Sequence, residues 1–218
     1  MGVSVLIPTR GRPDRFRKAV ESCSKTATGK IEILAYLDED DEKIPQYDAI
    51  RVPCVRFIVG PRMGLARIIH RLIESSLYSF MFLGADDIEF VTKGWDEKMV
   101  AAMPEDCIGA VYCEDNWKQT LNHFMFHQKW VSLTGLFPDD FEHFGPDGYV
   151  AKVIDPLKRR IFLKDVVIEH HHFKNNKAQK DATYSECRDS GCTDRDQKRL
   201  KGYESRIQRD IAVLKEYL

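Results

Sequence analysis

The first hundred residues alternate between short apolar runs and segments with helical spacing, and this alternation constrains the fold more than any other feature. Apolar runs cover residues 3–7, 31–37, 55–59 and 80–83. The clearest helical stripe between them consists of Leu65, Ile68, Ile69, Leu72 and Ile73. Regular alternation of strands and helices is typical of a mainly parallel sheet that is covered by helices on both faces. The sequence therefore predicts a single α/β domain of Rossmann-like character.

The second half of the sequence is less regular. Residues 116–144 are rich in aromatic side chains, residues 161–168 predict a strand, and residues 174–198 predict a polar loop. The C-terminal end carries an apolar stripe of Leu200, Tyr203, Ile207, Ile211, Leu214 and Leu218. This stripe predicts an amphipathic helix that packs on the same domain, with the seam of a homodimer as the alternative. We therefore expect one domain over residues 1–172, with the loop and packed helix over residues 173–218.

Composition argues against several classes of protein. The 218 residues include 33 Lys and Arg against 34 Asp and Glu, so the net charge of -1 gives no electrostatic reason to expect a nucleic acid partner. No apolar run is long enough for a transmembrane helix, and the first residues lack the basic region of a secretory signal. We therefore expect a cytoplasmic protein whose six cysteines are reduced thiols.

Polar and charged residues follow all four predicted strands of the first half. They are Thr9 and Arg10 after the first strand, Asp38 after the second, Arg62 after the third, and Asp86 and Asp87 after the fourth. Any one of these segments alone could be an ordinary turn, but parallel strands bring their carboxyl ends to one edge, where ligands bind. Guanidinium groups match phosphate oxygens, whereas acids would repel a phosphate unless a divalent cation lay between them. No Walker loop and no GxGxxG turn is present, so the edge predicts a metal-bound phosphate site of another kind.

The adjacent acids Asp86 and Asp87 are the most informative pair at this edge. Neighbouring residues of an extended chain point to opposite sides, so one carboxylate can face a metal while the other faces a ribose hydroxyl. Two acids directly after a buried strand are costly unless a ligand or partner compensates them. A helix cap or a turn is the alternative role for such a pair.

The combination VSVLIPTRGRP, an acid after the second strand, and FLGADD resembles family-two glycosyltransferases with the GT-A fold. The resemblance implies a nucleotide half over about 1–103 and an acceptor half over about 104–172. It implies that Thr9, Arg10 and Asp38 contact the nucleoside, that Asp86 contacts the ribose, and that Asp87 binds the metal and diphosphate. The usual first acid of the family's DxD motif is absent, since Gly84 and Ala85 precede the pair.

The same resemblance implies a catalytic base in the segment TGLFPDDFEHFGPDGY. Asp147 matches the aspartate of the family's Gly-Glu-Asp stretch, although Pro146 stands where the family has Glu. Asp140 and Glu142 are rival candidates for the base. Pro-Asp-Gly is also a common turn sequence, so a purely structural role for Asp147 is the alternative.

Three consecutive histidines follow the predicted strand over 161–168. Residues two apart share a face of an extended strand, so His170 and His172 could point the same way. The resemblance implies that a late histidine binds the metal, with His170 as the first choice and His172 as the second. A site of carboxylate, diphosphate and imidazole suits Mn²⁺ better than Mg²⁺. A solvated histidine cluster without a ligand is the alternative.

Four aromatic residues, Trp117, Phe124, Phe126 and Trp130, lie between the two parts of the predicted site. They could stack on an acceptor sugar or belong to the core. The expected activity is inverting transfer from a nucleotide-diphosphate sugar, with a UDP-sugar as the first choice, to an unidentified acceptor hydroxyl. A sugar-nucleotide pyrophosphorylase and a non-catalytic nucleotide- or carbohydrate-binding module are the alternatives.

Overall fold

The computed structural model describes residues 2–116, 121–172, 177 and 189–218. The strands are β1 (Gly2–Thr9), β2 (Lys30–Asp38), β3 (Val55–Gly60), β4 (Phe80–Leu83), β5 (Ile88–Phe90), β6 (Ala110–Glu114), β7 (Phe124–His127) and β8 (Arg160–His170). The helices are α1 (Pro13–Thr26), α2 (Ile44–Asp48), α3 (Leu65–Glu74), α4 (Trp95–Ala102), α5 (Gln128–Thr134), α6 (Pro146–Ile154), α7 (Cys192–Gly202) and α8 (Glu204–Lys215).

Within this part of the chain the strands form one mixed sheet in the order β3-β2-β1-β4-β7-β6-β8-β5. The strands β3, β2, β1 and β4 are mutually parallel, as the alternation in the sequence predicts. The strand β7 runs antiparallel to both β4 and β6, while β8 pairs in parallel with β6 and its far end pairs antiparallel with β5. The carboxyl ends of β1 to β4 therefore meet the end of β8 at one edge.

The helices cover both faces of the sheet, and alternation along the strands assigns side chains to two core layers. In β1, Val3, Val5 and Ile7 face α1 and α4, whereas Leu6 faces the layer formed with α3, α5 and α6. Since both layers are apolar, the central strands are buried on both faces, which explains their nearly continuous apolar runs. The α/β fold with helices on both faces of a sheet is confirmed.

The sequence predicted the regular first half better than the second. The three-residue strand β5 and the strand β7 were not predicted, and neither were α5 and α6. Phe124, Met125 and Phe126 of β7 are all buried, because β7 lies inside the sheet and both of its faces are covered. The strand therefore lacks the alternation of apolar and polar residues that would have revealed it in the sequence. The antiparallel pairing of β7 makes the sheet mixed rather than parallel throughout.

The C-terminal segment forms two helices instead of the single predicted one, with a break at Tyr203. Ile207, Ile211 and Leu214 of α8 are buried against α5 and α6, so the apolar stripe packs on the domain and gives no support for a homodimer seam. The predicted polar loop is wrong for residues 192–198, which belong to α7; most of the remainder lies outside the described residues.

None of the described helices combines the length and the apolar character needed to cross a membrane. Five cysteines, Cys23, Cys54, Cys107, Cys113 and Cys192, are free thiols, and Cys187 lies outside the described residues. Burial raises the pKa of Cys23 and that of Cys113, so both thiols are protonated at neutral pH.

Candidate functional site

The loops after β1 and β4 are joined through the carboxylate of Asp86. Its Oδ2 accepts a hydrogen bond from Thr9 Oγ1 at 2.8 Å, and its Oδ1 lies 3.2 Å from Arg12 Nη1. Burial and the neighbouring Asp87 raise the pKa of Asp86 to about 6, although Arg12 and Thr9 oppose this shift. The structure therefore brings Thr9 and Asp86 together as the strand ends predicted, and it adds Arg12 to them.

The hydroxyl of Tyr47 supports this junction and was not predicted from the sequence. It accepts a hydrogen bond from the backbone N–H of Arg12 at 2.8 Å and lies 3.0 Å from Thr9 Oγ1. Burial raises the pKa of Tyr47 to about 12, so the hydroxyl keeps its proton at neutral pH. Tyr47 lies in the five-residue helix α2 behind Pro45, a segment without a periodic pattern.

Arg10 reaches the end of β2, where its Nη1 lies 3.0 Å from Asp38 Oδ2, and it also pairs with the carboxylate of Asp40. Burial raises the pKa of Asp38, while Arg10 and the more distant Arg62 oppose the shift. Arg62 lines a cavity of about 300 Å³ between the loop after β3 and residues 139–142. Arg10, Asp38 and Arg62 thus lie at one edge, with basic side chains beside acidic ones.

Asp87 points away from Asp86 and faces two histidine rings. Its Oδ1 lies 3.5 Å from Nε2 of His170, and the backbone N–H of His171 donates to its carbonyl at 2.7 Å. One ligand atom each from Asp87, His123 and His170 lie within 4.8 Å of one another. His172 is not part of this group; its ring centroid lies 5.5 Å from that of His170.

His123 was missed by the sequence analysis, because it precedes a strand that the sequence did not reveal. Both of its ring nitrogens are buried, and neither makes a hydrogen bond of standard geometry with the described residues. Burial, and to a smaller extent the proximity of His170, lower the pKa of His123 to about 3 against the opposing effects of Asp87, Asp115 and the backbone of Leu83, so the ring is neutral. Neutral imidazole nitrogens and a carboxylate are suitable ligands for a divalent cation, so the three residues fit one.

Asp147 lies in the first turn of α6, directly after Pro146, and is half-buried. It forms no hydrogen bond or ion pair with the residues that the structure describes. Although His143 is exposed as a whole residue, partial burial of its ring lowers its pKa, and the charges of Asp87 and Asp147 both act on it. His143 therefore lies within electrostatic range of both Asp87 and Asp147.

The two rival base candidates are held in ion pairs. Arg195 and Arg199 both pair with Glu142 and lower its pKa to about 2, which makes this carboxylate a weak base. Asp140 lies 3.8 Å from Arg199 and interacts with the hydroxyl of Tyr203. These contacts distinguish Glu142 and Asp140 from Asp147, whose carboxylate has no such pairing among the described residues.

A buried carboxylate in α7 fixes the loop before α6. Asp196 accepts hydrogen bonds from the backbone N–H groups of Glu142, His143 and Phe144 at 3.0, 2.9 and 2.9 Å, and from Arg199 Nη1 at 2.8 Å. Sequence reasoning missed Asp196, because it lies in the segment that was predicted to be a polar loop.

Three of the four aromatic residues considered for acceptor stacking belong to the core. Phe124, Phe126 and Trp130 are fully buried, and Trp117 lies outside the described residues. Phe144, in the loop before α6, is 39% exposed, and its ring contacts that of His143 edge-on.

Comparison with solved structures shows the fold of glycosyltransferases. The mannosyltransferase PcManGT from Pyrobaculum calidifontis, in complex with GDP-Man and Mn²⁺, matches with a TM-score of 0.62 and 14% identity over 77% of this chain and 56% of that one. S. aureus TarS matches with a TM-score of 0.60 and 13% identity over 78% of this chain and 36% of that one. A mycobacterial protein matches with a TM-score of 0.59 and 14% identity over 78% of this chain and 68% of that one.

The chain thus spans little more than half the length of PcManGT and about a third of TarS. At such low identity the likeness establishes the fold and no more. No protein-family model and no curated protein sequence matches the chain.

Proposed function

We propose that the protein is a metal-dependent glycosyltransferase, which transfers a sugar from a nucleotide-diphosphate donor to an acceptor hydroxyl with inversion. The observation that carries this proposal is the arrangement of Asp86 and Asp87. The first carboxylate is bound to the loop after β1, and the second faces two histidine rings. The fold is also that of structures solved with GDP-Man or UDP-GlcNAc. We call the ends of β1 to β4 the donor side, and residues 139–147 the acceptor side.

On the donor side, Thr9, Arg10 and Asp38 would bind the nucleoside, Asp86 the ribose, and Arg62 a phosphate oxygen. Arg62 supplies a guanidinium group, which suits a phosphate oxygen, while Arg10 is paired with Asp38 at the end of β2. The neighbouring structures contain different nucleotides, namely GDP-Man in PcManGT and UDP in TarS. A UDP-sugar is the first donor to test, and GDP-mannose is the second.

Asp87 and His170 would hold the cation, and His172 is the second choice for the histidine. Two kinds of ligand, carboxylate and imidazole, favour Mn²⁺ over Mg²⁺. A cation bound here neutralises the charge that develops on the departing diphosphate. Asp87 and His170 come from different strand ends, so the sheet itself sets their separation.

On the acceptor side, the carboxylate of Asp147 would accept the proton of the acceptor hydroxyl. As the acceptor oxygen forms its bond to the anomeric carbon, the bond from that carbon to the diphosphate breaks, and the diphosphate leaves with the electron pair. Attack from the face opposite the leaving group inverts the anomeric configuration. Asp147 supports this role better than Glu142 and Asp140, because those two carboxylates are held by arginines.

The test is a donor panel of UDP- and GDP-sugars, incubated with Mn²⁺, with Mg²⁺ or with EDTA, while release of the nucleoside diphosphate is measured. We expect one donor class to be consumed with Mn²⁺ and not with EDTA, and Asp87→Asn to abolish consumption. The variant Glu89→Gln, two residues further along and exposed, is the matched control with wild-type consumption.

Two experimental outcomes would refute this function and support a different one. Pyrophosphate-dependent exchange of the nucleotide sugar, without transfer, would identify a pyrophosphorylase. Tight binding of a nucleotide without turnover of any sugar donor would identify a binding module, an outcome consistent with Pro146 standing in place of an acid.

A further inference from the structure

We infer that His123 is a third protein ligand of the cation, so that Asp87, His123 and His170 bind a divalent metal before any nucleotide arrives. The inference deepens the donor-side proposal and rests on it for the purpose of the metal. Metal binding without nucleotide can nevertheless be measured whether or not the chain transfers a sugar.

The sheet places the three ligands at fixed positions. The antiparallel register of β4 and β7 pairs Leu83 with Phe124, so its next step puts His123 beside the turn that carries Asp87. The register of β5 and β8 pairs His170 with Ile88, the residue that follows Asp87. The ligands therefore come from the turn after β4, the residue before β7 and the end of β8, which the sheet brings together.

The distances suit one cation after a small contraction. One ligand atom from each of the three residues lies within 4.8 Å of the other two, and Asp87 Oδ1 lies 3.5 Å from His170 Nε2. Ligand atoms bonded to one cation at about 2.1 Å lie about 3 to 3.5 Å apart. The rings of His123 and His170 stand edge to face with centroids 5.0 Å apart, so their nitrogens can converge without ring overlap.

The imidazole of His123 packs against the ring of His170 and lies near the backbone of Leu83. Its buried nitrogens have no hydrogen bond of standard geometry within the described part of the chain, and a buried polar group in that state costs about 1 to 3 kcal/mol. A cation would satisfy one of these nitrogens.

A second group of the same residue types, on the other side of the β5–β8 pair, makes a useful contrast. Glu89, Glu169 and His171 also lie within 4.8 Å of one another. Here Lys177 pairs with Glu169, Asn116 donates to Glu169 at 3.2 Å, and His171 lies 3.1 Å from Glu89. Protein cations and donors already pair with this partly exposed group, so it serves as the control.

Two imidazoles and one carboxylate form a donor set that prefers Mn²⁺, Co²⁺ or Zn²⁺ to Mg²⁺. Three protein ligands also leave coordination positions open, and diphosphate oxygens can take these. The order of events would then be metal first and donor second, because the protein alone supplies enough ligands to retain the cation.

The test is Mn²⁺ titration of the nucleotide-free full chain, after treatment with a chelator, by calorimetry and by the loss of the free Mn²⁺ paramagnetic resonance signal. We expect one Mn²⁺ site per chain, and we expect His123→Gln to weaken binding by at least about tenfold. The double variant Glu89→Gln/Glu169→Gln should bind Mn²⁺ as the wild type does. Wild-type affinity in His123→Gln, or no binding by the wild type without nucleotide, would overturn the inference.

A second variant separates ligation from packing. His123→Phe should keep or raise the melting temperature measured without metal, and it should lose the increase that Mn²⁺ gives to the wild type. A stabilisation by Mn²⁺ that persists in His123→Phe would contradict the inference. Normal Mn²⁺ binding together with no sugar transfer would leave the inference standing and would refute the proposed function instead.

Discussion

On the donor side, Asp86 and Asp87 follow a strand that pairs with a neighbour on each edge, whereas on the acceptor side Asp147 follows a long irregular loop. The donor side is positioned by the sheet, and its acids contact residues from β1, β8 and the start of β7. The acceptor side is positioned by the buried carboxylate of Asp196, which binds three backbone N–H groups, and by backbone hydrogen bonds from the start of α3 to Phe141 and Glu142.

This difference implies that substitutions can impair the function of one side without impairing that of the other. A change in the proposed metal ligands of the donor side should impair both binding and turnover, because the cation would contact the donor both when it binds and when it reacts. A change at Asp147 should impair turnover and leave donor binding intact. The predictions below test this separation, beginning with the largest effect.

The largest effect is expected from Asp87→Asn. The variant retains the shape of the side chain but loses the charge, and a metal that stabilises a leaving group contributes several kcal/mol to the transition state. We expect turnover to fall by at least about 10³-fold and Mn²⁺ binding to be lost. Steady-state kinetics and Mn²⁺ titration measure the two effects. Near-normal turnover would show that the donor side lies elsewhere.

The second effect is expected from Asp147→Asn, which removes the proposed base. General-base catalysis contributes about 10² to 10⁴-fold, so kcat should fall by that factor while affinity for donor and Mn²⁺ stays unchanged. Asp155→Asn, at the opposite end of α6, is the matched control. If Asp147→Asn also loses Mn²⁺, the two sides are not separable; if it retains kcat, another group is the base.

The third prediction concerns the tether of the acceptor side. Asp196→Ala removes hydrogen bonds to three backbone N–H groups and to Arg199, and we expect a loss of about 3 kcal/mol in the free energy of unfolding. The exposed Asp194→Ala in the same helix should cost less than about 1 kcal/mol. Urea denaturation measures both variants. Equal losses would mean that Asp196 does not hold the loop.

The smallest effect is expected from Arg10→Ala. Arg10 is partly exposed and pairs with Asp38 and Asp40, so its removal should raise the KM for the donor by about tenfold and leave kcat nearly unchanged. Arg17→Ala, an exposed cation of α1, is the control. A fall in kcat without a change in KM would assign Arg10 to the chemical step.

The donor side could be predicted from the sequence because strand ends are visible as polar residues after apolar runs. Thr9, Arg10, Asp38, Asp86 and Asp87 follow directly from that pattern, and the structure brings their strands to one edge. The atoms that these residues contact could not be predicted. One partner, Tyr47, lies in the short helix α2, whose sequence has no periodic spacing of apolar residues.

The residues that the sequence did not reveal share one property. Their candidate roles depend on contacts with elements that are far away in the sequence. His123 becomes a ligand candidate only when β7 pairs with β4, and Asp196 becomes a tether only when α7 packs against the loop over 142–144. Neither residue lies in a motif, and neither segment has a strong apolar period. Asp147 was found by resemblance, not from the pattern of the chain.

The most direct test of the donor side is anomalous diffraction from crystals grown with Mn²⁺ and with the nucleoside diphosphate of the consumed donor. We expect one Mn²⁺ peak between Asp87, His123 and His170, with the ribose beside Asp86 and the diphosphate toward Arg62. A Mn²⁺ peak among Glu89, Glu169 and His171, or a nucleotide bound away from the ends of β1 to β4, would contradict the account.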